Sequence, residues 1–224
     1  MRNFPKTPSL TRKTQTTAPK VALHIVCEGK NTEPKYFEDC VAFYGAGLVS
    51  LELVRGAGVP ITIVETAIAR KEQLRKKYKK IPTGFESCYR VWAVFDRDAH
   101  PGIPQALQLA SANKIDIAFS DPCFELWPLL HIVDYGGQDD RHALQRRLSA
   151  EMDGYHHEDG AHINFDLIKD NFHIAQARAK NLVQARVNEG AVSRNKCNSQ
   201  LIFLSMLITK LGIPASETSL PLGV

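Results

Sequence analysis

Two hydrophobic runs in this chain each stop at a carboxylate. Val21-Ala-Leu-His-Ile-Val-Cys leads into Glu28-Gly29, and Val91-Trp-Ala-Val-Phe leads into Asp96-Arg97-Asp98. An apolar run of that length reads as a buried strand, and the acid that closes it stands at the strand's C-terminal lip. In open α/β sheets ligands bind at that lip. In an extended segment positions i and i+2 point the same way, so Asp96 and Asp98 can face one ion. Mg²⁺ takes one or two protein carboxylates and fills its shell with water and phosphate oxygens. Glu28, Asp96 and Asp98 are therefore the candidate metal ligands and catalytic residues, with Glu28 acting either through a bound water or as a general acid/base. Mg²⁺, with Mn²⁺ as a substitute, is the expected cofactor of a phosphate chemistry.

A lone Asp-x-Asp after a strand is also a common turn, and it is the matching acid at Glu28 that gives the pair its weight. Around them stand further candidates. Glu33 opens the following helix, where it either complements the helix dipole or faces the site. Glu125 lies among Phe124, Leu126 and Trp127, so if buried it must be paired or bind something. Lys30, Lys35 and Arg97 either contact phosphate or are surface charge, the simpler reading for Lys35, and His100 either binds phosphate, transfers a proton or is, more commonly, a turn histidine. His131, on an apolar helix, reads as a core histidine. His156, His157 and His162 share an acidic loop but lack the spacing of a zinc site. There is no Walker A loop, no GxGxxG and no GxSxG.

The elements that must position these residues follow from periodicity and breakers. Strands are expected at about 21–27, 48–54, 89–95 and 115–119, and helices at about 32–44, 61–79 and 103–112, with Ser120 to His131 a loop entering an apolar helix. That βαβαβαβα order predicts an α/β fold with a parallel, helix-covered sheet. Tyr36, Phe37, Cys40, Val41 and Tyr44 mark the inner side of the first helix, and Ile61, Val64, Ile68, Leu74 and Tyr78 that of the second. Beyond residue 134 the pattern becomes helical, with helices at about 139–152, 165–188 and 199–211. Phe165, Ile168, Phe172, Ala175, Ala179 and Leu182 share one face of the middle one. The expected organisation is a basic, disordered leader (1–20), an α/β core (21–133) and a helical extension packed on it (134–224).

With 224 residues and 44% apolar composition, the chain can bury a sizeable core. No apolar stretch is long enough to span a bilayer, and Met1-Arg-Asn-Phe-Pro-Lys lacks a secretory h-region. Five cysteines without CxxC pairing read as free thiols, and the expected location is cytoplasmic. The net charge of +4 is unevenly spread: residues 1–20 carry five cations and no acid, and residues 70–80 carry seven Lys or Arg against one Glu. Such segments either neutralise nucleic-acid phosphates or are simply solvated faces.

Val26-Cys-Glu28-Gly-Lys-Asn-Thr32-Glu33-Pro34-Lys-Tyr36-Phe37 resembles the opening motif of the RloB-like family. Val94-Phe-Asp96-Arg-Asp98 and Asp121-Pro-Cys-Phe-Glu125-Leu-Trp127-Pro-Leu-Leu-His131 resemble its second and third motifs, so the likeness covers roughly residues 20–132. The C-terminal part is similar only loosely, through Ala179-Lys-Asn-Leu182 and Asn198 to Leu204. The resemblance implies a TOPRIM fold, in which a Glu after the first strand and a DxD after a later one serve Mg²⁺. Glu28, Asp96 and Asp98 match those positions, whereas Lys30 stands where the family often has an acid. It also implies a setting in restriction and abortive-infection defence against phage, often beside an ATPase partner. The function expected on this basis is a Mg²⁺-dependent nuclease acting on DNA or RNA. One alternative is a non-catalytic subunit that binds nucleic acid or nucleotide and regulates an ATPase. A primase-type nucleotidyl transferase is a third, but no template-binding element is evident.

Overall fold

The computed structural model describes residues 21–45, 47–79, 89–97, 102–158 and 160–188. The basic leader, Lys80, Asp98, His100 and the helix expected at 199–211 lie outside the described residues. The element order is β1 (Val21–Cys27), α1 (Thr32–Tyr44), β2 (Val49–Val54), α2 (Pro60–Tyr78), β3 (Tyr89–Asp96), α3 (Ile103–Ala112), β4 (Asp116–Ser120), α4 (Leu126–Ile132), α5 (Arg141–Glu151), α6 (Phe165–Ile168) and α7 (Phe172–Asn188). The four strands form one sheet in the order β2-β1-β3-β4, and all three pairings are parallel. A parallel sheet with helices in a mixed α/β chain is the expected fold class and is consistent with the TOPRIM-like fold that the resemblance implies.

Burial explains why the strands read as they do. β1 and β3 are central, so both faces are covered and both sequences are nearly continuous apolar runs. Leu23, Ile25, Cys27, Trp92 and Val94 point to one face, and Val26, Val91, Ala93 and Phe95 to the other. The second face is closed by α2 and α3, through Ile63, Val64, Ala67, Leu74, Ala106 and Ala110. Of the inner positions expected on α2, Val64 and Leu74 are buried while Ile61, Ile68 and Tyr78 are only partly so; Ile63 and Ala67 complete the stripe. β2 is an edge strand and accordingly alternates between half-buried and exposed positions.

The first face carries α1 and α4 and, continuous with them, residues from α5 to α7. Leu144, Leu148, Met152, Tyr155, Ile168, Phe172 and Ala175 belong to the same buried cluster as the sheet residues. Tyr36 is its hub: its ring meets Phe37, Phe124 and Phe165 edge-on, and its hydroxyl accepts from Trp127 Nε1 at 2.6 Å. A buried hydrogen bond of this kind contributes on the order of 1 kcal/mol.

One expectation is corrected in part. The helix foreseen over 165–188 is interrupted by a 3₁₀ turn at Lys169–Asn171, which separates α6 from α7. Asp170 and Asn171 are weak helix formers whose side chains compete for backbone partners, and none of the three turn residues is buried. The apolar face survives the break: Ile168, Phe172, Ala175 and Ala179 are buried, with Phe165 and Leu182 packed at their edge.

Candidate acidic site at the strand ends

The β1 and β3 ends are fastened together at the residues that carry the acids. Glu28 N–H donates to the Val94 carbonyl at 2.9 Å, which extends the parallel ladder one residue beyond β1. The Glu28 carboxylate then turns back, and its Oε2 accepts from the Asp96 backbone N–H at 3.1 Å. Arg97 N–H donates to the Ser120 carbonyl at 2.7 Å, which brings the end of β4 alongside.

Two further acids lie beneath this lip. Glu33, in the first turn of α1, is buried, and its carboxylate rests on Gly29. A Cβ at Gly29 would stand 2.0 Å from Glu33 Oε2, so only glycine allows the approach. Glu125 immediately precedes α4 and is also buried. Its Oε1 accepts from Tyr155 Oη at 2.9 Å and Gln145 Nε2 at 3.3 Å, and it pairs with His157 Nδ1 at 3.2 Å.

The acids repel one another through a poorly solvated interior. Burial, then the Glu33 and Glu125 charges, holds the Asp96 carboxyl well above the ordinary carboxylate value, with Arg141 opposing. Burial likewise raises Glu33; hydrogen bonding to its own backbone opposes this, and the Glu125 and Glu28 charges add to it. Cys123 beside them is pushed up by burial and by Glu125, so it is an inert thiol.

Arg141, at the start of α5, brings Nη2 within 3.1 Å of Asp96 Oδ2. The other carboxylate oxygen, Oδ1, is buried and has no hydrogen-bond partner among the described residues. A buried acceptor left this way costs on the order of 1–3 kcal/mol. Among the described residues no group of three or more His, Cys, Asp or Glu is placed to hold a metal ion. The donor set fits an ion that takes two carboxylates and otherwise water and phosphate, as Mg²⁺ does. Glu28 and Asp96 would hold it.

The remaining candidates stand further out. Arg97 pairs with Asp121 at 2.9 Å and is 63% exposed. Lys30 is exposed and lays its stem along Gly56, where a Cβ would meet its Cγ at 3.0 Å. Lys35 pairs with Asp39 on α1. His131 is the core histidine expected: it is buried, meets Trp127 edge-on, and its ring Nδ1 donates to the Trp127 carbonyl at 2.9 Å. The basic end of α2 lies away from the acidic lip. Lys71 Nζ bonds the Asn113 and Lys114 carbonyls, which precede β4, and a 19-residue helix is about 28 Å long.

Residues 141–157 hold what the sequence reading missed. Arg141, Gln145 and Tyr155 come from beyond the α/β core and follow no recognisable spacing. One signal was available: a cation in the first turn of a helix opposes the dipole, so Arg141 needs a partner elsewhere.

A protein-family model described as RloB-like protein matches residues 23–202. The chain belongs to the RloB-like family. The RloB-like match runs well past α4 and takes in Arg141, Gln145, Tyr155 and His157 with the three motifs of the core. No curated protein and no solved structure matches the chain. Among the described residues no helix is long and apolar enough to cross a membrane.

Proposed function

We propose that this RloB-like protein is a Mg²⁺-dependent nuclease of TOPRIM type, cutting phosphodiester bonds of DNA or RNA in defence against phage. The observation that carries the reading is Asp96 Oδ1: a buried acceptor without a partner among the described residues, within a group of mutually repelling carboxylates at the lip of a parallel sheet. Such a site is electrostatically unfinished until a cation enters it. Glu28 and Asp96 hold that cation, with Asp98 as the third ligand. The ion supplies charge neutralisation at a phosphate and lowers the pKa of bound water.

The chain's own residues supply position. The bond from Asp96 N–H fixes the Glu28 carboxylate beside β3, and the Glu33 carboxyl packs under Gly29 below the lip. Tyr155 and Gln145 orient Glu125 so that its charge faces the same interior. The exposed cations of α2 add long-range attraction for a polyanion, not contact with the reacting bond. An ATPase partner belongs to the same proposal and rests on the family setting alone.

The test is cleavage of labelled DNA, RNA and tRNA with Mg²⁺ or Mn²⁺, using Asp96→Ala as the control. The wild type cuts at least one of them and the variant does not. Equal cleavage by both proteins sinks the proposal.

A further inference from the structure

The end of the sheet opposite the acidic lip carries the reverse charge. α2 runs back along the sheet, and Tyr78 in its last turn stacks on Tyr89, the first residue of β3, with ring centroids 5.5 Å apart. Arg75, Lys76, Lys77 and Lys79 are exposed here, and Arg90 follows in β3. Arg75 pairs with Glu72 on its own helix, whereas Lys76 and Lys79 pair with no acid among the described residues. Lys71, Arg75 and Lys79 form one row at i, i+4 and i+8. The first of them staples a third element alongside: Lys71 Nζ donates to the Asn113 carbonyl at 2.9 Å and to the Lys114 carbonyl at 2.5 Å. Burial lowers the Lys71 pKa, Asp116 and Glu72 oppose, and Lys114 and Arg90 add to the lowering, so cations from three elements stand close enough to repel.

Lys114 is exposed, and its backbone has φ 53°, a left-handed conformation that glycine or asparagine adopts more readily. The turn therefore gives no reason for a lysine. None of the exposed large apolar side chains among the described residues lies in the last turns of α2, in β3 or at 113–116. The surface is charged without being apolar, which suits a polyanion in water and not a lipid bilayer. Arg90 and Asp96 are six residues apart on β3, about 20 Å at the rise of a strand. That length matches about six base pairs of duplex.

We propose that this basic end is the anchor for the substrate's phosphate backbone, with Lys79 and Lys114 contacting phosphates remote from the acids. This rests on the nuclease reading above and adds a requirement to it. The substrate is a polynucleotide long enough to reach both ends of the sheet, not a nucleotide or a very short fragment.

The experiment measures binding in EDTA, so it does not depend on cleavage. A labelled DNA duplex and a labelled RNA strand, each about 20 nucleotides long and so well beyond the span, are titrated over a series of salt concentrations. Lys79→Gln combined with Lys114→Asn should weaken binding about 10-fold. It should also lower the slope of log affinity against log salt by about 1.8 for the duplex or 1.4 for the strand, the signature of two lost phosphate contacts. Asparagine accepts the left-handed backbone, so the thermal midpoint of Lys114→Asn should not fall. Arg146→Gln combined with Lys180→Gln removes the same charge from exposed positions on α5 and α7, which cover the other face of the sheet, and should stay near wild type. Lys79→Arg keeps the charge and should keep the wild-type slope. An unchanged slope in the Lys79 and Lys114 variant, an equal loss in the control pair, a lowered slope in Lys79→Arg, or wild type that binds neither probe would each overturn the anchor. With Mg²⁺ the same variant should raise KM about 10-fold and leave kcat unchanged, because the contacts are uniform binding far from the reacting bond. A fall in kcat with KM unchanged would overturn the remote placement. If the slope falls as expected while the wild type cuts neither probe, it is the nuclease reading that fails and the anchor that stands.

Discussion

Glu28 Oε2 accepts a hydrogen bond from the backbone N–H of Asp96 at 3.1 Å, so the two acid-bearing strand ends are joined by one of the acids themselves. The bond needs an oxygen at Glu28 but not a charge. Glu28→Gln retains the acceptor and relieves repulsion, so its thermal midpoint should stay within a few degrees of wild type. Its affinity for Mn²⁺, by calorimetry, should fall about 10-fold, close to 1.4 kcal/mol. Glu28→Ala loses the bond as well and should cost a further ~1 kcal/mol of stability. Equal Mn²⁺ affinity in wild type and Glu28→Gln would remove Glu28 from the ligand set.

Gly29 and Glu33 are coupled by contact. A methyl at Gly29 would collide with the Glu33 carboxylate at 2.0 Å. Gly29→Ala should therefore cost about 1–3 kcal/mol, as overpacking does in a filled interior. In Glu33→Ala the obstruction is gone, and adding Gly29→Ala should cost much less. The coupling in a double-mutant cycle is expected at about 1–2 kcal/mol. Additive losses in chemical denaturation would show that the two residues do not touch.

His131 provides a pH test away from the acids. Burial holds its pKa down, from 6.5 to about 4. The unfolded chain therefore takes up a proton at higher pH than the folded protein does. Stability attributable to this group is complete above pH 6.5, is lost as pH falls toward 4, and levels off below that. The full loss is about 3 kcal/mol. Buried carboxylates contribute in the same range, so the quantity to measure is the difference between wild type and His131→Phe across pH 4–7. That difference should narrow as the pH falls. A pH-independent difference would mean that His131 titrates in the fold as it does in the unfolded chain.

The sequence reveals the α/β part of this molecule because buried parallel strands have to be apolar along their length. β1 and β3 end where the polar lip begins, which is why Glu28 and Asp96 could be picked out as strand-end acids. Glu33 was ambiguous because a first-turn acid is ordinary on any helix; only the close approach to Gly29 shows that it lies under the site. Arg141, Gln145 and Tyr155 were invisible for a different reason. They reach the lip across a tertiary contact made by α5 and the segment after it, and neither hydrophobic period nor motif spacing encodes that. The interruption at Lys169–Asn171 was missed because the apolar face of α6 and α7 keeps its period across the break.

If the acidic lip is a cation site completed at Asp96, a Mn²⁺ titration of the full chain followed by electron paramagnetic resonance will show it. Free Mn²⁺ gives the signal, so binding is read without substrate or turnover. The wild type should remove Mn²⁺ from solution with a saturable stoichiometry, and Asp96→Asn, which keeps the shape but not the charge, should lose that binding while remaining folded. Wild-type binding that Asp96→Asn reproduces, or no saturable binding by the wild type, would contradict the account.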